Sequence, residues 1–325
     1  MFKIFVLFCL LVLAQISAMT PAVSAAPTDQ KRLAYLVSDL RIPFWDIMKR
    51  GVQAQAQALG YRMEVYSAEN SAKRELEFAA QAIRAKVDGI ILSPTNSSSA
   101  VTVLQLARTA GIPVVIADIG ADRGDYVSYI ASNNREGAFQ IGLVLVRAMR
   151  ERGWQDGRVG IIAIPQKRAN GQERTAGFMQ ALNEAGIKGA GIRQQVDFSH
   201  RETYDFAREL MAANPDLRAI WLQGSDRYQA ALDALADAGK SGEILLICFD
   251  AEPEFLDLIP RGILVGAAMQ QPFLMGEEAV KAMDLHLHGQ PVSKKILLPV
   301  LAVSRLNIQA SLPVIRRNVL GQPEP

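Results

Sequence analysis

The chain has 325 residues, 50% of them hydrophobic, with 35 basic and 33 acidic residues and a formal net charge of +2. A balance this close removes the electrostatic case for binding nucleic acid or an anionic membrane surface. Lys3 precedes an apolar run from Ile4 to Ala14, and small residues follow from Ala22 to Pro27. This order predicts a secretory signal peptide over residues 1–26, cut after Ala25 or Ala26, and export of the mature chain. Eleven apolar residues are too few for a membrane helix, which needs about 20. Cys9 leaves with that segment, so Cys248 stands alone and no internal disulfide is expected.

About 300 residues then remain, more than one ordinary core organises, so two domains are expected. They alternate short apolar runs with stretches of helical period. Strands are predicted at Leu33–Ser38, Tyr61–Tyr66, Gly89–Leu92, Pro113–Ala117 and Val127–Ala131. Helices between them are predicted at Pro43–Leu59, Ala72–Ala85 and Ser97–Thr109. Pro43 suits a first helical turn, where its missing N–H costs nothing. A second set has helices at Arg135–Arg150, Glu173–Ala185, Glu202–Ala213 and Tyr228–Ala238. Its strands are Val159–Ile164, Ile192–Val196, Ala219–Leu222 and Ile244–Phe249.

Alternation of this kind predicts an α/β fold, with doubly wound parallel sheets covered by helices on both faces. Ligands bind such sheets beyond the carboxyl ends of the strands. Polar residues sit at those ends: Ser38 and Asp39, Ser93 to Thr95, Asp118, Gln223 and Asp250. Carboxylates there accept strong hydrogen bonds from hydroxyls, and Asp is also a good helix N-cap. Phe44 and Trp45 open a helix and read either as core or as an apolar plane for a ligand. No glycine-rich dinucleotide or phosphate motif, nucleophile elbow or metal spacing is present. No cofactor, metal or enzymatic activity is therefore expected.

The segment AYLVSDLRIPFWDIMKRGVQAQAQALGY resembles the opening of the ribose-type, type I periplasmic solute-binding proteins of sugar ABC transporters. VDGIILSPTNSS, AGIPVVIADI, SYIASNNREGAFQIG, QERTAGFMQAL, ILLICFDAEPE and VGAAMQQPFLMG follow in the same order. The resemblance covers Ala34 to Val303 and implies two lobes that the chain crosses three times. The crossings are expected near Ser132–Asn134, Met269–Gln271 and Pro299–Val303. Residues 30–131 with 271–298 would form the first lobe, and 132–270 with 299–320 the second. A small polar ligand, a sugar or sugar-like molecule, would lie between them, and hinge closure would bury it.

Mapped onto this chain, the family's pocket positions are Ser38, Asp39, Phe44, Trp45, Ser93, Asp118, Arg174, Phe198, Asp250 and Gln270. Asn134 matches a position near the hinge, where a helix cap is the other reading. Arg174 offers a planar fork of donors, or else a surface ion pair. Three departures bear on the ligand. Ile42 and Gly224 stand where the ribose-type pocket has asparagines, and Ile119 where it has an arginine. Ribose in the usual pose is therefore not expected. Asp39, Ser225, Asp226, Arg227, Lys167 and Arg168 are the candidate replacements. The resemblance implies a monomer whose closed form is read by an ABC permease or a membrane sensor kinase; nothing in the sequence separates these two.

Overall fold

A computed structural model describes residues 30–322. The predicted signal peptide and Cys9 lie outside the described residues.

The strands form two six-stranded sheets. The first holds β1 (Arg32–Val37), β2 (Arg62–Ser67), β3 (Gly89–Ser93), β4 (Val114–Ala117), β5 (Ser128–Ser132) and β11 (Lys295–Leu298), in the order β11-β5-β4-β3-β1-β2. The second holds β6 (Arg158–Ala163), β7 (Lys188–Gln194), β8 (Leu217–Leu222), β9 (Leu245–Phe249), β10 (Gly266–Met269) and β12 (Leu301–Ser304), in the order β12-β10-β9-β8-β6-β7. Numbered within its own set, each sheet has the same order, 2-1-3-4-5, with one late strand added beside the fifth. That late strand differs: β11 runs parallel to β5, while β12 runs antiparallel to β10. The chain passes between sheets three times, after β5, after β10 and between β11 and β12.

Helices cover both faces of each sheet because the strands are apolar on both sides. Tyr35 and Leu36, neighbours on β1, point to opposite faces and enter separate clusters, one with Met48 and Met283, the other with Leu92 and Leu104. In the second sheet Ile161 and Ile162 divide in the same way. Runs buried on both faces are the mark of a covered parallel sheet. Phe178 stacks on Trp221 with centroids 3.9 Å apart at the centre of one cluster.

Two helix contacts fix the frame around the cleft. In the first layer α1 (Pro43–Ala58) lies on α9 (Pro272–Leu287), where a β-carbon at Gly51 would collide with the Phe273 carbonyl. In the second, α4 (Asn134–Glu151) lies on α5 (Ala169–Glu184), where a β-carbon at Gly177 would collide with the Arg135 carbonyl. Beyond β12 the chain forms α10 (Ile308–Val314) and a π-helical turn, Ile315–Val319. Ile315, Val319 and Leu320 enter the second sheet's core, while Arg317 pairs with Glu277 on α9 at 2.9 Å.

Most predicted boundaries shift by one or two residues, and two starts shift by four. The helix expected from Glu173 begins at Ala169, because Asn170 and Gly171 form its first turn rather than a preceding loop. The strand expected at Ile192–Val196 is Lys188–Gln194, an edge strand with little apolar signal, and Val196 is exposed.

Candidate ligand site

The carboxyl ends of both sheets face one shared cavity. Ile42, Phe44 and Trp45 line it from the start of α1, and Asp118 from the end of β4. From the second sheet come Ile164, Arg168, Asn170 and Arg174 around the β6–α5 turn, then Phe198, Gly224, Asp226, Asp250 and Gln270 from later strand ends.

Asp118 and Asp250 occupy equivalent places. Each follows the fourth strand of its set, and each has φ +68°. Each N–H donates to the next strand, Asp118 to Ile130 and Asp250 to Ala268. Asp tolerates this left-handed conformation better than most residues. Phe198 (φ +57°) is bulkier and is held there from both sides: its N–H donates to Glu202 at 3.0 Å, and its carbonyl accepts from Arg227. Non-glycine residues kept in this region cluster at functional sites.

Arg174 is buried and held through Nε and Nη1. Its Nε donates to Asn134 Oδ1 at 2.8 Å and its Nη1 to the Gln223 carbonyl at 2.7 Å, with Asp250 Oδ2 at 3.5 Å. The guanidinium also lies 3.9 Å over the Phe249 ring centroid. Gln270 Nε2 donates to the other Asp250 oxygen at 2.5 Å. Asp118 has less: Asn170 Nδ2 approaches it from the opposite wall at 3.4 Å. Burial raises the Asp118 carboxyl to about 6, opposed by Arg174 and reinforced by Asp250. Burial raises Asp226 and Asp250 as well. Three lining residues carry buried atoms with no hydrogen bond from the described residues: Trp45 Nε1, Asp226 Oδ2 and Gln270 Oε1. Asp226 Oδ2 lies 3.2 Å from Arg227, close enough to attract but not aligned to bond.

The sequence-derived candidates divide into two groups. Phe44, Trp45, Asp118, Arg174, Phe198, Asp250 and Gln270 line the cavity. Trp45 is also core, 3% exposed and packed with Met48 and Ile119, while Phe44 is half-buried. Ser38, Asp39, Ser93 and Asn134 do not line it. Ser93 faces inward to Tyr35 and Met48, and Ser38 and Asp39 bind Asn70. Asn134 is the first residue of α4; its amide donates to the Ser132 carbonyl and its oxygen orients Arg174, so it caps nothing. Arg174 is likewise no surface ion pair.

Among the departures, Ile42 and Gly224 line the cavity, whereas Ile119 is buried in the core. Arg168 and Asp226, named only as replacements, are wall residues. Ile164 and Asn170 escaped the sequence reading altogether. Asn170 was legible in principle: a polar side chain in a first helical turn, just past a strand end, faces where ligands sit.

A search of known proteins places this geometry among relatives. The ribose import binding protein of Escherichia coli (strain K12) is 30% identical over 278 residues, 86% of this chain and 92% of that protein. The D-apiose import binding protein of Paraburkholderia graminis is 27% identical over 75% of this chain and 77% of that one. In fold, the chain matches a carbohydrate transporter solute binding protein from Agrobacterium radiobacter in complex with D-arabinose, with a TM-score of 0.82, 21% identity and coverage of 90% and 99%. The sequence pattern of the periplasmic binding protein domain matches residues 33–291, and the chain therefore belongs to the family of type I periplasmic sugar-binding proteins.

Proposed function

We propose that this protein is an exported receptor that closes around a small polar solute, a sugar or sugar-like molecule, and delivers it as a monomer to an ABC-type permease. Residues 30–131 with 271–298 form one lobe, and residues 132–270 with 299–320 the other. The observation that carries this reading is the pair Asp118 and Asp250, equivalent tips of two sheets that line one cavity. Two carboxylates accept from hydroxyls, Arg174 holds one of them in place, and Phe44, Trp45 and Phe198 supply apolar faces for sugar C–H groups.

Ile42, Ile164 and Gly224 leave part of the wall without hydrogen-bonding side chains. A hydroxyl buried against it unpaired would lose about 1–3 kcal/mol. The ligand therefore carries an apolar or unsubstituted edge on that side. A thermal-shift panel of D-ribose, D-allose, D-apiose, D-arabinose and their deoxy derivatives tests this. A deoxy or branched sugar should raise the melting temperature more than D-ribose. Stabilisation by D-ribose alone would overturn the ligand assignment, and no shift with any sugar would overturn the function.

A further inference from the structure

Three consecutive residues at the start of α5 reach across the cleft. Arg168 Nε donates to the Thr95 carbonyl at 3.2 Å and its Nη2 to Asn70 Oδ1 at 3.0 Å. The Ala169 N–H donates to Ser97 Oγ at 3.2 Å, and Asn170 Nδ2 reaches Asp118. The receiving side is braced. Asn70 (φ +59°) is fixed by Ser38 Oγ at 2.8 Å and by its own bond to Asp39 at 2.9 Å. Thr95 is held by the buried Glu75, which accepts from the Thr95 N–H at 2.5 Å and from Ser99 Oγ at 2.8 Å. Ser38 and Asp39, which the sequence pointed to as ligand contacts, thus serve the acceptor of this contact.

The same guanidinium walls the cavity. It stands 5.8 Å from the Trp45 ring centroid and 5.6 Å from that of Phe198, one aromatic from each lobe. Its two lobe-spanning bonds use Nε and Nη2, and Nη1 makes no hydrogen bond to the described residues.

We propose that Arg168 couples closure to the make-up of the site: its fork clamps the first lobe, and only the closed form places a cation between Trp45 and Phe198 for the ligand. The inference rests on the two-lobe reading above. It has two consequences. The clasp, being made of protein alone, populates the closed form before solute arrives, and a first lobe met alone offers Asp118 without this cation. A preformed closed population raises apparent affinity in proportion.

The test uses the full mature chain stripped of solute by unfolding and refolding, and measures its radius of gyration by small-angle scattering. Without any sugar, the wild-type protein should be compact, and Arg168→Ala should expand it. Arg168→Lys should not restore compactness, because an ammonium cannot fork to both acceptors. Asn70→Gly keeps the left-handed backbone and removes the acceptor, so it should also expand the protein, although Asn70 lies outside the cavity lining. For whichever panel sugar stabilises wild type, Arg168→Ala should weaken binding by at least about tenfold. Equal radii for wild type, Arg168→Ala and Asn70→Gly, whether all compact or all expanded, would overturn the proposal. Because the scattering arm uses no sugar, a wrong ligand class would leave that result unchanged.

Discussion

Asp118 and Asp250 sit at the same step of two sheets, with the same backbone torsion, yet their surroundings differ. Asp250 is met by Arg174 and Gln270 from the layers of its own sheet. Asp118 is met by Asn170 from beside the other sheet, at 3.4 Å. On the two-lobe reading proposed above, one half of the site would be built whether the cleft is open or shut and the other completed by closing, so that two copies of one topology would serve as a fixed seat and as a wall that meets it.

The largest disturbance of this contrast comes from Arg174→Ala. It strips the built half of bonds to Asn134 and Gln223 and leaves the largely buried Asp250, 16% exposed at its side chain, without its cation. Breaking a buried pair from one side costs about 3–5 kcal/mol, which urea unfolding of the solute-free protein should show. Trp45→Ala follows at about 3 kcal/mol of stability, since the ring is core as well as wall. Asp118→Asn should behave otherwise. It should take about 1.5–3 kcal/mol from solute binding by calorimetry and, at neutral pH, raise rather than lower the solute-free unfolding midpoint, because it removes a carboxylate whose charge burial disfavours. An equal stability loss from Asp118→Asn and Arg174→Ala would erase the distinction between the halves.

Protonation sharpens the same contrast more gently. Burial lifts Asp118 from 3.8 to about 6, against the pull of Arg174 and Arg168 and the Asn170 hydrogen bond. Its ionised form therefore weighs against the empty folded state above about pH 6, and the cost vanishes below the unfolded value near 3.8. Hydroxyls donating to that carboxylate favour the ionised form. Affinity should be flat above about pH 6 and weaken as pH falls to 5, and Asp118→Asn should remove the slope. The smallest effect belongs to Ser93→Ala, which loses a buried bond to Tyr35 and a weak one to the Met48 sulfur. About 1 kcal/mol of stability should go, with solute affinity untouched.

The fold was legible because burial on both sheet faces writes nearly continuous apolar runs, and their alternation with helical period admits few architectures. The strand tips were legible for the same reason: a carboxylate closing VVIAD or LLICFD has nowhere to go but the sheet's end. Sequence position does not reveal which way a polar side chain turns once there. Ser38, Asp39 and Ser93 stand at strand tips and yet face Asn70 and Tyr35. The edge strand β7 was misplaced because Lys188–Gln194 is mostly exposed and carries no hydrophobic alternation. Arg168 and Asn170 lay beyond easy reach because their partners are about 50 to 100 residues away, beside the other sheet; roles of that kind arise from assembly rather than from local pattern.

The glycine at 177 bears on how such a receptor changes its diet. Its missing side chain lets α5 rest directly on the α4 backbone, and Arg174 and Asn134 ride on those two helices within one turn of the contact. A single methyl group there would lift one rod off the other and retune the reach of the guanidinium while every charge in the pocket stayed the same. Preference for one solute over another can therefore drift through a residue that no solute meets.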